Sequence, residues 1–163
     1  GCLVLAETVK RLKAPKNDCW FVFTVQEELG LRGAKTAAYA LEPDFAVAVD
    51  VTVAGDTPNG QALPMKLGAG PAVKLRDASV ICHRRIVEWL TGTAEAHKIP
   101  YQREILESGG TDAGSIHLTR AGVPSGGLSL VIRNVHTPGE VADRGDVDGA
   151  VALLTAALED GIQ

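Results

Sequence analysis

A chain of 163 residues that is 45% hydrophobic and 22% charged is long enough to bury one core without disulfides or a structural metal, so a single domain is expected. Its net charge of -4 comes from 16 basic and 20 acidic residues scattered along the chain, with no Lys/Arg block that could track a phosphate backbone or an anionic membrane. No apolar run reaches the roughly 18 residues a membrane helix needs.

The chain opens on Gly1 rather than Met, without a basic, signal-like region, and is expected to begin inside a longer protein. Leu3, Val4, Leu5, Val9 and Leu12 recur at helical spacing up to Pro15, which predicts a helix over 2–13 with one buried stripe. CWFVFTVQ (19–26) is continuously apolar, the pattern of a central strand buried on both faces. Gly30 and Gly33 break it. The Ala-rich segment GAKTAAYALEP predicts a helix ending before Pro43, and DFAVAVDV predicts a second strand. A strand–helix–strand unit of this kind is expected to join parallel strands in a right-handed crossover. Glu27, Glu28 and Asp50 would then share one sheet edge.

Residues 52–78 are rich in Gly, Pro and Asp and read as loop with a short strand near MKL. A long helix is expected from Ser79 to Ile99, lined by Val80, Val87, Leu90 and Ala94 and closed by Pro100. YQREIL reads as a strand, and ESGGTDAG as a glycine turn whose Thr111 or Asp112 caps a helix through IHLTR. GLSLVI is a further strand. A last helix, capped by Asp146, carries Val147, Ala150, Val151, Leu154, Ala157 and Leu158 on one stripe. The class is α/β, a mixed sheet between helices.

Cys2, Cys19 and Cys82 lie in apolar sequence without close ligand spacing, which suits buried thiols and a cytoplasmic, reducing compartment. The segment TVQEELG places two carboxylates side by side where a buried strand gives way to a glycine turn. Adjacent extended residues point opposite ways, so one carboxylate can enter a metal's coordination shell while its neighbour leans over the open position. The alternative is a solvent-exposed pair at a strand end. Asp50 follows the apolar AVAV, where an unpaired charge is costly and requires a cap, a salt bridge or a metal.

His83 and His97 are expected at the surface of the long helix, and His117 packs in a short one. His136 sits instead in RNVHTPGE, an irregular loop after a strand, where sheet-based sites draw their ligands. A Glu, an Asp and a His with an adjacent Glu suit Zn, Mn or Co. Metal-assisted hydrolysis fits best, since there is no GxSxG, no GxxxxGK[ST], and GAG at 68–70 is too short for a dinucleotide fingerprint.

TVQEELGLRGAK, AVDVTVAGDTP, MKLGAGP, IPYQREILESGGTDAGSIHLTRAGVPS and RNVHTPGEV, in this order and spacing, closely resemble the tetrahedral aminopeptidases, the metallo-family of glutamyl, leucyl and lysyl aminopeptidases. The resemblance spans nearly the whole chain. It implies a zinc-exopeptidase-like catalytic domain with a largely parallel sheet, in which Glu27 is the general base, Glu28 and His136 hold one divalent ion, and Asp50 helps hold a second. It also implies that a bridging Asp and a ligand His lie before Gly1, with an N-terminal strand segment, and that an inserted apical domain used in large homo-oligomers is absent. The function expected is aminopeptidase action on peptides, with this stretch alone a poor enzyme. A related two-metal deacylase or amidohydrolase, or an inactive remnant serving as an assembly module, are the alternatives.

Overall fold

The computed structural model describes residues 1–162. In chain order the elements are α1 (Cys2–Arg11), α2 (Arg32–Leu41), β1 (Ala46–Val53), β2 (Ala72–Arg76), α3 (Arg84–Ala96), β3 (Gln102–Ile105), α4 (Ala113–Ile116), β4 (Ser125–Arg133), β5 (Val141–Ala142) and α5 (Arg144–Asp160). The sheet runs β1-β4-β2-β3, with β5 on the end of β4. β1 is parallel to β4 and β2 to β3, whereas β4 meets β2 and β5 antiparallel. The α/β class and the mixed sheet between helices are as the sequence predicts.

Period-two alternation gives the sheet two different faces. Val47, Val49, Val51, Leu128, Leu130, Ile132 and Val73 point to one side, into the main core with Val4 of α1, Ile86 and Leu90 of α3 and Leu153 and Leu154 of α5. The other face carries Ala48 and Asp50 of β1 in register with Gly127 and Ser129 of β4, and Lys74 of β2 in register with Gly127 and with Glu104 of β3. That face is small and polar, and α4 covers part of it through Ala113. β4 is buried on both faces over Ser125–Ile132, which explains why SGGLSLVI is apolar or small throughout.

Several expected elements differ. CWFVFTVQ forms no strand, and Trp20 (70% exposed) and Val25 (67%) stand in solvent instead of a core. A ladder needs a partner about 4.8 Å away. Between this segment and the free edge of β1 lies an open groove of about 550 Å³, lined by Trp20–Thr24 on one wall and Ala46–Val49 on the other. The predicted parallel crossover between 19–26 and β1 is therefore absent. In α1 only Val4 and Thr8 are buried, and Leu3 and Val9 of the expected stripe are exposed.

The strand expected at MKL lies later, at Ala72–Arg76. The long helix begins at Arg84 because Ile81 first bridges to Arg76. Asp143, not Asp146, caps α5, its side chain accepting from the amides of Gly145 and Asp146. Asp146 turns inward and accepts from the amides of Gly68 (2.8 Å) and Gly70 (2.7 Å), tying the GAG loop to the helix. Of the cysteines only Cys82 is buried, and loss of solvent pushes its thiol up to about 11; Cys2 is exposed and Cys19 half-buried.

Candidate active site

The turn bearing Glu27 and Glu28 is closed by its own backbone. The amides of Gly30 and Leu31 donate to the carbonyl of Glu27, and that of Gly33 to Val25 (2.9 Å). A side chain at Gly33 would fall 2.5 Å from the Val25 nitrogen, so glycine is required there. Gln26 (φ 57°) and Leu31 (φ 58°) are both left-handed, an unfavourable conformation for residues with a Cβ.

The loop bearing His136 has the same character. Asn134 (φ 59°) and His136 (φ 62°) are left-handed, the Asn134 carbonyl accepts from the Thr137 hydroxyl, and the His136 amide donates to Glu140 (2.8 Å). Strained non-glycine backbone clusters at functional sites, and these two loops meet. His136 Nε2 stands 3.6 Å from Glu28 Oε1.

Glu27 is half-buried, and its carboxyl is pushed up to about 7. Loss of solvent is the largest cause, followed by the charges of Asp50, Asp112 and Glu28, with His136 opposing them. These five groups, from four distant stretches of sequence, therefore share one electrostatic neighbourhood. A carboxyl held near neutrality can take a proton and return it.

Asp50 lies within β1 rather than at the sheet edge where strands end, in register with Ser129. It is half-buried, and its Oδ1 accepts from the Val51 amide (2.8 Å). The structure brings Glu28 to His136 and places Asp50 near Glu27. Among the described residues no three of His, Cys, Asp or Glu gather around one point. His83 and His97 are exposed at the two ends of α3, and His117 bonds the Ala113 carbonyl through Nδ1.

The residue that sequence reasoning missed is Asp112. It was expected only as a possible helix cap, yet it makes no side-chain cap bond; its Oδ2 accepts from the Thr24 hydroxyl (2.7 Å), and burial raises its pKa. Its Oδ1, the hydroxyl of Thr111 before it, and the hydroxyls of Thr52 and Ser129 near Asp50 are all buried without a hydrogen-bond partner. Carboxylate and hydroxyl oxygens with an imidazole are the donor types that a hard or borderline divalent cation takes.

The chain matches the description M42 glutamyl aminopeptidase over residues 1–153. A protein of Acetivibrio thermocellus carrying a provisional aminopeptidase name is 53% identical over 158 residues, covering 97% of this chain and 48% of that protein. The solved structure of an aminopeptidase from the archaeon Desulfurococcus kamchatkensis superposes with a TM-score of 0.95 at 40% identity, over 99% of this chain and 46% of that one. A Pyrococcus horikoshii TET1 peptidase, described as able to assemble into a tetrahedron or a large octahedral shell, matches with a TM-score of 0.71 at 32% identity, over 83% of this chain and 39% of that one. The chain thus spans about half the length of the relatives it matches, and with these motifs, this sheet and this match it belongs to the M42 glutamyl aminopeptidase family.

Proposed function

We propose that this protein removes N-terminal residues from peptides by metal-assisted hydrolysis, with Glu27 as general base and Glu28, Asp50 and His136 as ligands of divalent cations such as zinc, cobalt or manganese. The observation that carries this reading is the half-buried Glu27 carboxyl, raised to about 7 beside the Glu28–His136 pair. A divalent cation held there would polarise the scissile carbonyl and acidify water. Glu27 takes the proton of the attacking water and later gives it to the departing amine, a role that requires a pKa near the working pH. Family membership supports the aminopeptidase class, and the donor set supports the metal.

Glu28 and His136 supply two donors to one ion, and Asp50 one donor to a second. Each ion needs further ligands from outside residues 1–163. The open edge of β1 and the groove beside it support a strand from outside this stretch completing the sheet. In this reading the chain alone is a poor enzyme, this stretch lacks the family's inserted apical domain, and the whole protein assembles as a homo-oligomer, as is described for the Pyrococcus horikoshii TET1 peptidase. We place the protein's action on peptides in the cytoplasm; among the described residues no helix is long and apolar enough to cross a membrane.

The test is turnover of aminoacyl-anilides against N-acylated amino acids, with each metal supplied in turn, for this chain and for a version extended on its N-terminal side. Selective hydrolysis of the anilides, stronger in the extended version, is expected. Selective hydrolysis of the N-acyl compounds would instead assign a deacylase.

A further inference from the structure

Glu27 sits in a turn that its own sequence does not favour. Left-handed Gln26 and Leu31 bracket it, and the short backbone bonds within 25–33 have few partners outside the turn. A general base has to be held within a fraction of an ångström of its working position. Something outside the turn must hold it.

Two side-chain bonds do so from the same element. Upstream of Glu27, the Thr24 hydroxyl donates to Asp112 Oδ2 at 2.7 Å. Downstream, the Ser115 hydroxyl donates to the Leu31 carbonyl at 3.2 Å. Asp112 and Ser115 lie at the start of α4, which rests on the same sheet face as Asp50. Asp112 occupies the N-cap position, where a carboxylate ordinarily accepts from its own helix amides, and it forgoes that bond to reach Thr24. α4 is in turn seated on Ser79: a side chain at Gly114 would lie 2.3 Å from the Ser79 hydroxyl oxygen.

We infer that Asp112 is a positioning residue for Glu27, acting through its bond to Thr24, with Ser115 fixing the other end of the turn. This rests on the reading of Glu27 as the base. GGTDAGS is therefore a support for the catalytic turn, and Gly110 and Gly114, where any side chain would meet Ser79, let α4 pack closely enough to reach it.

The test uses amide hydrogen exchange in this chain, read at Gly30, Leu31 and Gly33, whose bonds close the turn, with turnover of aminoacyl-anilides measured in the version extended on its N-terminal side. Thr24→Val and Asp112→Ala should each speed exchange at those amides about tenfold, the effect of one lost hydrogen bond, while β4 amides stay protected. Asp112→Asn keeps an acceptor for Thr24 and should restore parental exchange. Thr24→Val should lower kcat by about tenfold or more with KM within about twofold, the pattern of a displaced catalytic group. Unchanged exchange in both Thr24→Val and Asp112→Ala, or an Asp112→Asn variant as loose as Asp112→Ala, overturns the proposal. Full turnover in Glu27→Gln would instead overturn the base assignment, and the positioning role with it, whatever the exchange shows.

Discussion

Glu28 Oε1 and His136 Nε2 stand 3.6 Å apart although they come from opposite ends of the chain. An exposed Glu–His pair stabilises a fold by well under about 1 kcal/mol, too little to explain why two strained loops converge on it. Two donors bound tetrahedrally to one zinc at about 2.1 Å each lie roughly 3.4 Å from one another, close to the observed spacing. Zinc or cobalt titrated into this chain should therefore bind in a manner that Glu28→Ala or His136→Ala each weaken by at least about tenfold, since even outer-shell partners are worth that much. His83→Ala and His97→Ala should leave binding unchanged. Calorimetry in which all four variants bind alike would remove the metal from this site.

Glu27→Gln keeps shape and hydrogen-bonding capacity but cannot take a proton. In the active protein it should retain bound metal and lose turnover by at least about 100-fold, the usual contribution of a general base. Metal content by mass spectrometry and anilide turnover are measured on the same sample. Loss of metal in Glu27→Gln and its retention in Glu28→Gln would exchange the two roles.

The raised Glu27 carboxyl also makes a statement about stability. A group whose folded pKa lies above its unfolded one binds more protons in the native state, so its contribution is present below the unfolded value and is lost as pH rises through the folded value. For Glu27 the window runs from its ordinary 4.5 to about 7. Metal-free chain should lose stability as pH rises across that window, and Glu27→Gln should flatten the slope. Urea melts at pH 5 and pH 7.5 would show it, and equal slopes in parent and variant would contradict the shift.

Legibility from sequence followed physical locality. Glu27, Glu28 and His136, which the fold brings into one neighbourhood, stand out in the sequence as a carboxylate pair before a glycine turn and a histidine in a proline loop, both local patterns. α5 and β4 were legible because their apolar periodicity matches what they bury. CWFVFTVQ misled because a continuous apolar run reports a wish for burial, not the presence of a ladder partner, and its neighbour across the groove is too far away. Asp112 was missed for a related reason. Its local context, an acid before a short helix, spells a cap, and only the fold brings Thr24 within 2.7 Å to claim the carboxylate instead.

Beneath α4 the polar face hides a second electrostatic device. Lys74, 1% exposed, donates to fully buried Glu104 at 2.5 Å and lies 3.4 Å from Asp77 Oδ2. Asp77 Oδ1 accepts from Ser79 and Val80, so this network sets Ser79, on which Gly114 rests. Lys74→Ala strands two buried carboxylates and should cost about 3–5 kcal/mol in chemical denaturation. Lys74→Met with Glu104→Met removes the main charge pair together and should cost distinctly less. If the double variant is as unstable as the single one, packing and not charge is what Lys74 provides.

The free edge of β1 leads to the last expectation. β1 pairs with β4 on one side only, and across the groove from its other side Trp20, Val22 and Phe23 are exposed. An unpaired strand beside contiguous apolar surface is a template for another chain, so this chain should self-associate in solution. Scattered exposed apolar residues do not have this effect, and Ile81 and Leu118, though more exposed than Trp20, lie outside the groove. Sedimentation velocity should show mass rising with concentration in the parent chain. Trp20→Lys with Phe23→Lys should hold it monomeric without lowering its melting temperature, because neither side chain is in the core. Ile81→Lys and Leu118→Lys should associate as the parent does. Equal association in both pairs of variants would show that the groove is not the adhesive surface, and the reading of β1 as an edge awaiting a strand would lose its support.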